Sequence, residues 1–242
     1  PENDEDNWVE IWDDVFMQYN KTADGKYEPL EQQNVDTGLG LERVTAVLQG
    51  KKTVYDTELF HPIIEKIREI ENAKHEGDEG HYTKAYRIIA DHIRAAVMMA
   101  GDGIRPSNLD QGYVMRRLIR RAIRYGKFLG IEENFTHIIA KEVIKVMSDM
   151  YPEIKNNETI LNVFQLEEGG FRKTISSGLK EFEKLIGRLS SDTISGKDAF
   201  HLYDTYGFPI EMTIEEARKH DLSVDEKGFK QAFEDHQKLS RA

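Results

Sequence analysis

The chain of 242 residues holds 33 Lys and Arg against 44 Asp and Glu, a formal net charge of −11, with 39% apolar residues and no cysteine. That length and apolar content support one large or two ordinary domains with real cores. Disulfides and thiolate metal sites are excluded, the eight histidines lack the paired spacing of a zinc helix, and no apolar run approaches the roughly 20 residues that span a bilayer. A soluble protein without a readable metal site is expected. The start, PENDEDNWVEIW, has neither an initiator Met nor a signal peptide, so the chain is expected to be cut from something larger.

In chain order, the aromatic and β-rich stretch from Trp8 to Tyr19 predicts a strand buried on both faces. Asp24-Gly25 signals a hairpin turn, with a return strand over about Lys26 to Gln33. Two strands alone do not make a stable sheet. The next segment, NVDTGLGLER, predicts a glycine-rich turn at Gly38 and Gly40 and a helix with Leu41, Val44, Val47 and Leu48 on its apolar stripe, stopped by Gly50. Arg43 projects from the first turn of that helix. A strand, a glycine turn and an arginine in this order can cradle a phosphate, although the same pattern also arises from tight packing alone.

The rest of the chain has helical periodicity, with no internal repeat and no low-complexity segment. Leu59, Phe60, Ile63, Ile64 and Ile67 mark one helix, with Pro62 tolerated near its start. Glu71 to Lys84 is polar with two glycines and predicts a loop. Tyr86, Ile89, Ala90, Ile93 and Val97 mark a helix ending at the GDG of residues 101–103, in which Asp91, His92 and Arg94 fit a structural polar network better than catalysis. After residue 127, Phe135 to Met147 predicts a helix stopped by Pro152. A long helix from about Glu158 to Ile186 turns Phe164, Phe171, Ile175, Leu179 and Phe182 inward, with a kink expected at Gly169-Gly170, each glycine costing about 1 kcal/mol relative to Ala. Ser195 should start a short helix ended by Gly207 and Pro209. Thr213 with Glu216 should form a capping box, and Asp225 should cap a last helix carrying Phe229, Ala232, Phe233 and Leu239.

One stretch contradicts the overall charge. Between Arg105 and Lys127 lie Arg116, Arg117, Arg120, Arg121 and Arg124, against only Asp110. Arg116, Arg120 and Arg124 repeat at i, i+4, while Val114, Met115, Leu118, Ile119, Ala122 and Ile123 fill the positions between, so the pattern is an amphipathic helix with a guanidinium face. Like charges four apart oppose a helix by a few tenths of a kcal/mol per pair. Such a stack therefore implies acidic neighbours within the protein or an external polyanion. Pro106, Ser107, Asn108 and Asp110 are expected to form the preceding loop and its cap.

The word DTGLGLER resembles motif 3 of the class II aminoacyl-tRNA synthetases. Taken with WVEIWDDVFMQYN before it, and IADHIRAAVMMAGDGIRPSNLDQGYVMRRLIRRA and LYDTYGFPIEMT after it, the resemblance is to the alanyl-tRNA synthetase family and covers nearly the whole chain. It implies a mainly α fold, α+β overall: a short antiparallel β remnant of a class II catalytic core over residues 1–57, then a helical tRNA acceptor-stem recognition domain over 58–242. The family activates alanine with ATP, used with Mg, to an aminoacyl adenylate and transfers it to tRNA(Ala) in the cytoplasm. The resemblance assigns Arg43 to ATP phosphate, Gly38 and Gly40 to close approach of the nucleotide, and Asp36 to the ammonium group of alanine, a charge-assisted contact. It assigns Asn108 and Asp204 to reading a G·U pair of the acceptor stem, and the Arg116, Arg120 and Arg124 face is expected to contact RNA phosphate. The family usually has Asn where this chain has Asp13, after Trp12, which puts the alanine pocket in question at that position. Motifs 1 and 2 are not in this sequence, so no complete catalytic set is expected.

Two readings from other classes compete on the arginine helix: docking to an acidic protein surface, and insertion into a DNA major groove. The salt dependence of tRNA, DNA and protein binding separates them.

Overall fold

A computed structural model describes residues 8–72, 79–155, 157–189 and 191–241. Two antiparallel strands open it, β1 (Trp12–Lys21) and β2 (Tyr27–Leu39), joined through Asp24-Gly25, where the Gly25 amide donates to the Thr22 carbonyl at 2.9 Å. The first strand begins at Trp12 rather than Trp8, because its partner ends at Leu39, opposite Trp12, and only one further backbone bond follows, from Gly40 N to Ile11 O at 3.0 Å. The second strand is longer than its local pattern predicts and runs on through Asp36 and Gly38. The expected glycine-rich turn is therefore paired strand, with Gly38 opposite Asp13. Burial on both faces is also overturned: every residue of β1 is exposed, Phe16 by 74%.

Helix α1 (Leu41–Leu48) follows, and Gly50 ends it with φ +62°. Of its residues only Ala46 is buried, so the expected apolar stripe of Leu41, Val47 and Leu48 faces outward. A 3-10 turn at Val54–Asp56, closed by reciprocal Thr53 and Asp56 hydrogen bonds, leads to α2 (His61–Ile70). Helix α3 (Glu79–Gly101) starts inside the segment expected to be loop; residues 73–78 of that segment lie outside the described residues. Ala85, Ile89, Ile93, Ala96 and Ala100 of α3 are buried at three- and four-residue spacing. This side packs on α2, on α4 (Asp110–Phe128), on α5 (Thr136–Met147) and on α6 (Glu158–Ile186). Arg94 of α3 leans over the Phe60 ring at 4.7 Å and pairs with Glu42 of α1, tying the first helix to the bundle. Burial alone would raise the Glu42 carboxyl, but the guanidinium beside it more than reverses this and holds it below its ordinary range.

Helix α6 is continuous across Gly169-Gly170, so the expected kink does not break it; Phe164, Phe171, Ile175 and Phe182 are buried as the period predicts. Ser195 caps α7 (Gly196–Tyr206), accepting from Asp198 N at 3.1 Å, and Gly207 ends that helix at φ +61°, a conformation that favours glycine. Thr213 caps nothing. Helix α8 (Ile210–Lys219) already starts after Pro209, whose fixed φ of −62° suits a helix entry, and Thr213 is buried in its first turn. Asp225 caps α9 (Glu226–Arg241), accepting from Gly228 N at 2.9 Å; the Leu239 side chain lies outside the described residues. A two-residue parallel bridge, β3 (Thr193–Ile194) to β4 (Ser223–Val224), joins the approaches to α7 and α9. No described helix is long and apolar enough to cross a membrane.

The contrast between an open hairpin and a buried helical core has a measurable consequence. Amide hydrogens of residues 12–39 are expected to exchange faster than those of α3 and α6, since the ladder is exposed on both faces. Equal protection in both regions would show that the hairpin is held by more than its own pairing.

Candidate functional site

Two places gather the residues singled out by sequence. The first is one face of the hairpin. Cross-strand register sets Val15 opposite Asp36 and Asp13 opposite Gly38, so Asp13 and Asp36 share a face with Gly38 between them. No atom lies within 4 Å of where a Gly38 side chain would begin, and the face is open at that point. Gly40 continues the same alternation. The Arg43 Nε lies 2.6 Å from where a Gly40 Cβ would sit, which brings the guanidinium to the face that carries Asp36. Its only ion pair among the described residues is with Glu10, at 3.8 Å, and nearly half of its side chain is exposed. A carboxylate and a loosely held guanidinium on one open face can receive an ammonium group and a phosphate.

The second place is a cleft of about 180 Å³ among α4, α7 and the entry to α8, lined by Asn108, Arg116, Tyr203, Asp204 and Glu211 among others. Asn108 and Asp204 stand 96 positions apart in sequence, and the fold brings them to one cavity. The helix cap expected among Pro106, Ser107, Asn108 and Asp110 is not supplied by their side chains. Leu109 takes the cap position without a side-chain bond, Ser107 Oγ donates to the Leu109 carbonyl at 2.8 Å, and Asp110 enters the helix at φ +50°. Arg116 donates to the Asn108 side-chain oxygen and, at 3.2 Å, to the Pro106 carbonyl. With its oxygen engaged, Asn108 has its NH2 left to offer, a pure donor. Asp204 sits in the last turn of α7 as an acceptor, with His236 3.7 Å away. Burial raises the phenols of Tyr113 and Tyr203, so both cleft tyrosines keep their protons and remain donors at neutral pH.

The arginines expected to face RNA have acidic neighbours within the chain. Glu167 of α6 accepts from Arg120 Nε at 2.7 Å and lies 3.4 Å from Arg116 Nε; Arg124 pairs with Glu215 of α8. Arg120 also donates to the Gly207 carbonyl at 3.1 Å and stacks over Phe171. Glu167 thus joins the side chain that orients Asn108 to the one that ties down the end of α7 beside Asp204. One network runs from Asn108 to the end of α7.

A family model for the class II (A) tRNA synthetases matches residues 1–242. The chain belongs to the class II (A) tRNA synthetases. Among curated proteins it is 48% identical over 240 residues, 97% of this chain, to an alanine–tRNA ligase of Treponema pallidum (strain Nichols), of which it covers 40%. It is 46% identical over 233 residues, 95% of this chain, to an alanine–tRNA ligase of Lactiplantibacillus plantarum, covering 26% of it. A third relative, the alanine–tRNA ligase of Lysinibacillus sphaericus, is 44% identical over 257 residues spanning all of this chain and 28% of the relative. The chain therefore spans between about a quarter and two fifths of the length of these relatives.

Sequence reasoning about this class II synthetase chain missed Glu167 and Glu168, which read as ordinary polar positions of a long helix. The available signal was the acidic pair at 167–168 in the middle of α6, set against an arginine stack that needed counter-charges.

Proposed function

We propose that this chain serves as the motif 3 and acceptor-stem-reading part of an alanine–tRNA ligase. The observation that carries the reading is the convergence of Asn108 and Asp204 on one cleft, which is thereby lined by both a donor and an acceptor. The minor groove of an RNA helix is wide and shallow, and guanine shows its amino donor there. In a G·U pair that amino is free to meet the Asp204 carboxylate, while the Asn108 NH2 faces an acceptor on base or ribose. Arg116 and Arg120 line the same cleft and fix Asn108 and the end of α7, and Arg124 lies in the clefts beside it.

At the hairpin, Asp36 receives the ammonium group of alanine, and Arg43, beside Gly38 and Gly40, holds phosphate of ATP, which would arrive with Mg. ATP supplies the activation of the carboxyl group; the part of this chain is to bind and orient. Residues 1–57 and 58–242 act as two units, one for alanine and ATP and one for the tRNA, in the cytoplasm where translation takes place. A titration of the chain with tRNA(Ala) tests the reading: saturable binding that favours a G·U over a G·C stem is expected, and equal binding to both stems would refute it.

Acting alone, the chain is expected to give no alanine-dependent pyrophosphate exchange above background, because its open hairpin offers ATP a single guanidinium and no enclosing wall. Clear exchange by the purified chain would show that the hairpin face is a complete site.

A further inference from the structure

Three clefts run together along α4. The reading cleft shares Arg117, Arg120, Pro209 and Glu211 with a second one of about 260 Å³, which in turn shares Arg124 and Met212 with a third of about 420 Å³ at the C-terminal end of the helix. This is one continuous furrow, bordered by α4 on one side and α8 on the other. Its cations differ in how they are engaged, and Lys219 of the third cleft pairs with Glu216 at 2.7 Å. Arg116, Arg120 and Arg124 are mostly buried and committed to Glu167 and Glu215. Arg121, Lys127 and Lys84 are exposed, and among the described residues no ion pair or hydrogen bond engages them; Arg121 only lies 6.0 Å over the Tyr125 ring. Arg117 is intermediate, half exposed and 3.3 Å from a half-exposed Glu211, a pairing that contributes little and yields easily.

We infer that the furrow is a backbone track for the same RNA whose base pair is read at its upper end, with Arg117, Arg121, Lys127 and Lys84 as the phosphate contacts. The inference rests on the proposed acceptor-stem reading. From Arg117 to Lys127 the helix advances about 15 Å, at 1.5 Å per residue, long enough for more than one phosphate contact beyond the pair read by Asn108 and Asp204. In a chain of net charge −11, a line of uncommitted cations leading away from a base-reading cleft complements a polyanion that extends past the cleft. Phosphate contacts position RNA without selecting its sequence. The mostly buried arginines, each within ion-pair distance of a glutamate, build the wall of the track, and the exposed cations hold the strand.

The test is a triple variant of the full chain, Lys84→Gln, Arg121→Gln and Lys127→Gln, titrated across salt concentrations with a short RNA hairpin bearing a G·U pair and with its G·C counterpart. Each lost phosphate contact lowers the log-log salt slope by roughly 0.7 to 0.9, so a fall of about 2 is expected. The G·U to G·C ratio should stay unchanged. In Arg124→Ala the slope should hold while the melting temperature falls. An unchanged slope in the triple variant overturns the track but leaves the reading of the base pair standing. Failure of the wild-type chain to bind either hairpin overturns both, and binding to polyglutamate that needs the same three residues, with the RNA slope unchanged, assigns the surface to an acidic protein instead.

Discussion

Asp204→Ala is expected to narrow the preference for a G·U over a G·C acceptor stem by about tenfold or more, with binding to the G·C stem nearly unchanged. A base-edge contact of this kind is worth about 1 to 3 kcal/mol, and only the G·U pair leaves guanine's amino group free for the carboxylate. Asn108→Ala should act in the same direction. The two side chains line one cleft, so their effects should be less than additive in a double-mutant cycle. Asn108→Ala also removes the oxygen that accepts from Arg116, so it disturbs the network behind the cleft as well as the contact itself; Asp204→Ala is therefore the cleaner variant. Discrimination in synthetases also arises at the transfer step, so the measurement is best repeated with each substitution in a full-length relative, comparing aminoacylation of the two stems. Equal weakening on both stems would make the two residues structural.

The largest effect on stability is expected from Glu168→Ala. Glu168 is fully buried in α6, and one of its oxygens accepts from Phe135 N at 3.0 Å, Thr136 N at 2.8 Å and Thr136 Oγ1 at 2.6 Å. It thereby caps α5 from another helix, at a terminus where no local side chain does so. The other oxygen takes Arg172 Nε at 2.9 Å, and Arg172 in turn donates to the carbonyls of Ile131, Glu132 and Glu133. Removing the carboxylate strands buried donors and an unpaired guanidinium together, which costs about 3 to 5 kcal/mol. For a chain of this size that is a fall in melting temperature on the order of 10 °C. Glu168→Gln, which keeps an acceptor but loses the charge, should fall between. A Glu168→Ala chain melting within 2 °C of the parent, an experimental margin of about 1 kcal/mol at most, would show that water replaces the carboxylate at no net cost.

Much of the helical part could be read from sequence because its signals are local. Ser195 and Asp225 at helix starts, Gly207 and Gly50 at ends, and the spacing of Phe164, Phe171, Ile175 and Phe182 each act within a turn or two of backbone. Where a longer-range partner intervened, local reading failed. Thr213 is a local exception: it looked like a cap but is buried in the first turn of α8, because Pro209 starts the helix earlier. Gly38 looked like part of a turn but is strand, because β1 supplies a ladder for it. The strand thought to be buried is open, since alternation states what a strand is able to bury and not what covers it.

By itself, then, the sequence determined the helical class, many of the helix ends, and the membership carried by DTGLGLER and the arginine stretch. Tertiary structure alone decided that Asn108 and Asp204 line one cleft, that Arg116 and Arg120 lie against Glu167 while Arg121 and Lys127 do not, and that Glu168 caps a helix more than thirty residues away in the chain. The reason is physical. Capping and periodicity depend on backbone geometry within a few residues, whereas the choice of counter-charge for an arginine depends on which helix packs beside it, and that is set by the burial of the whole core.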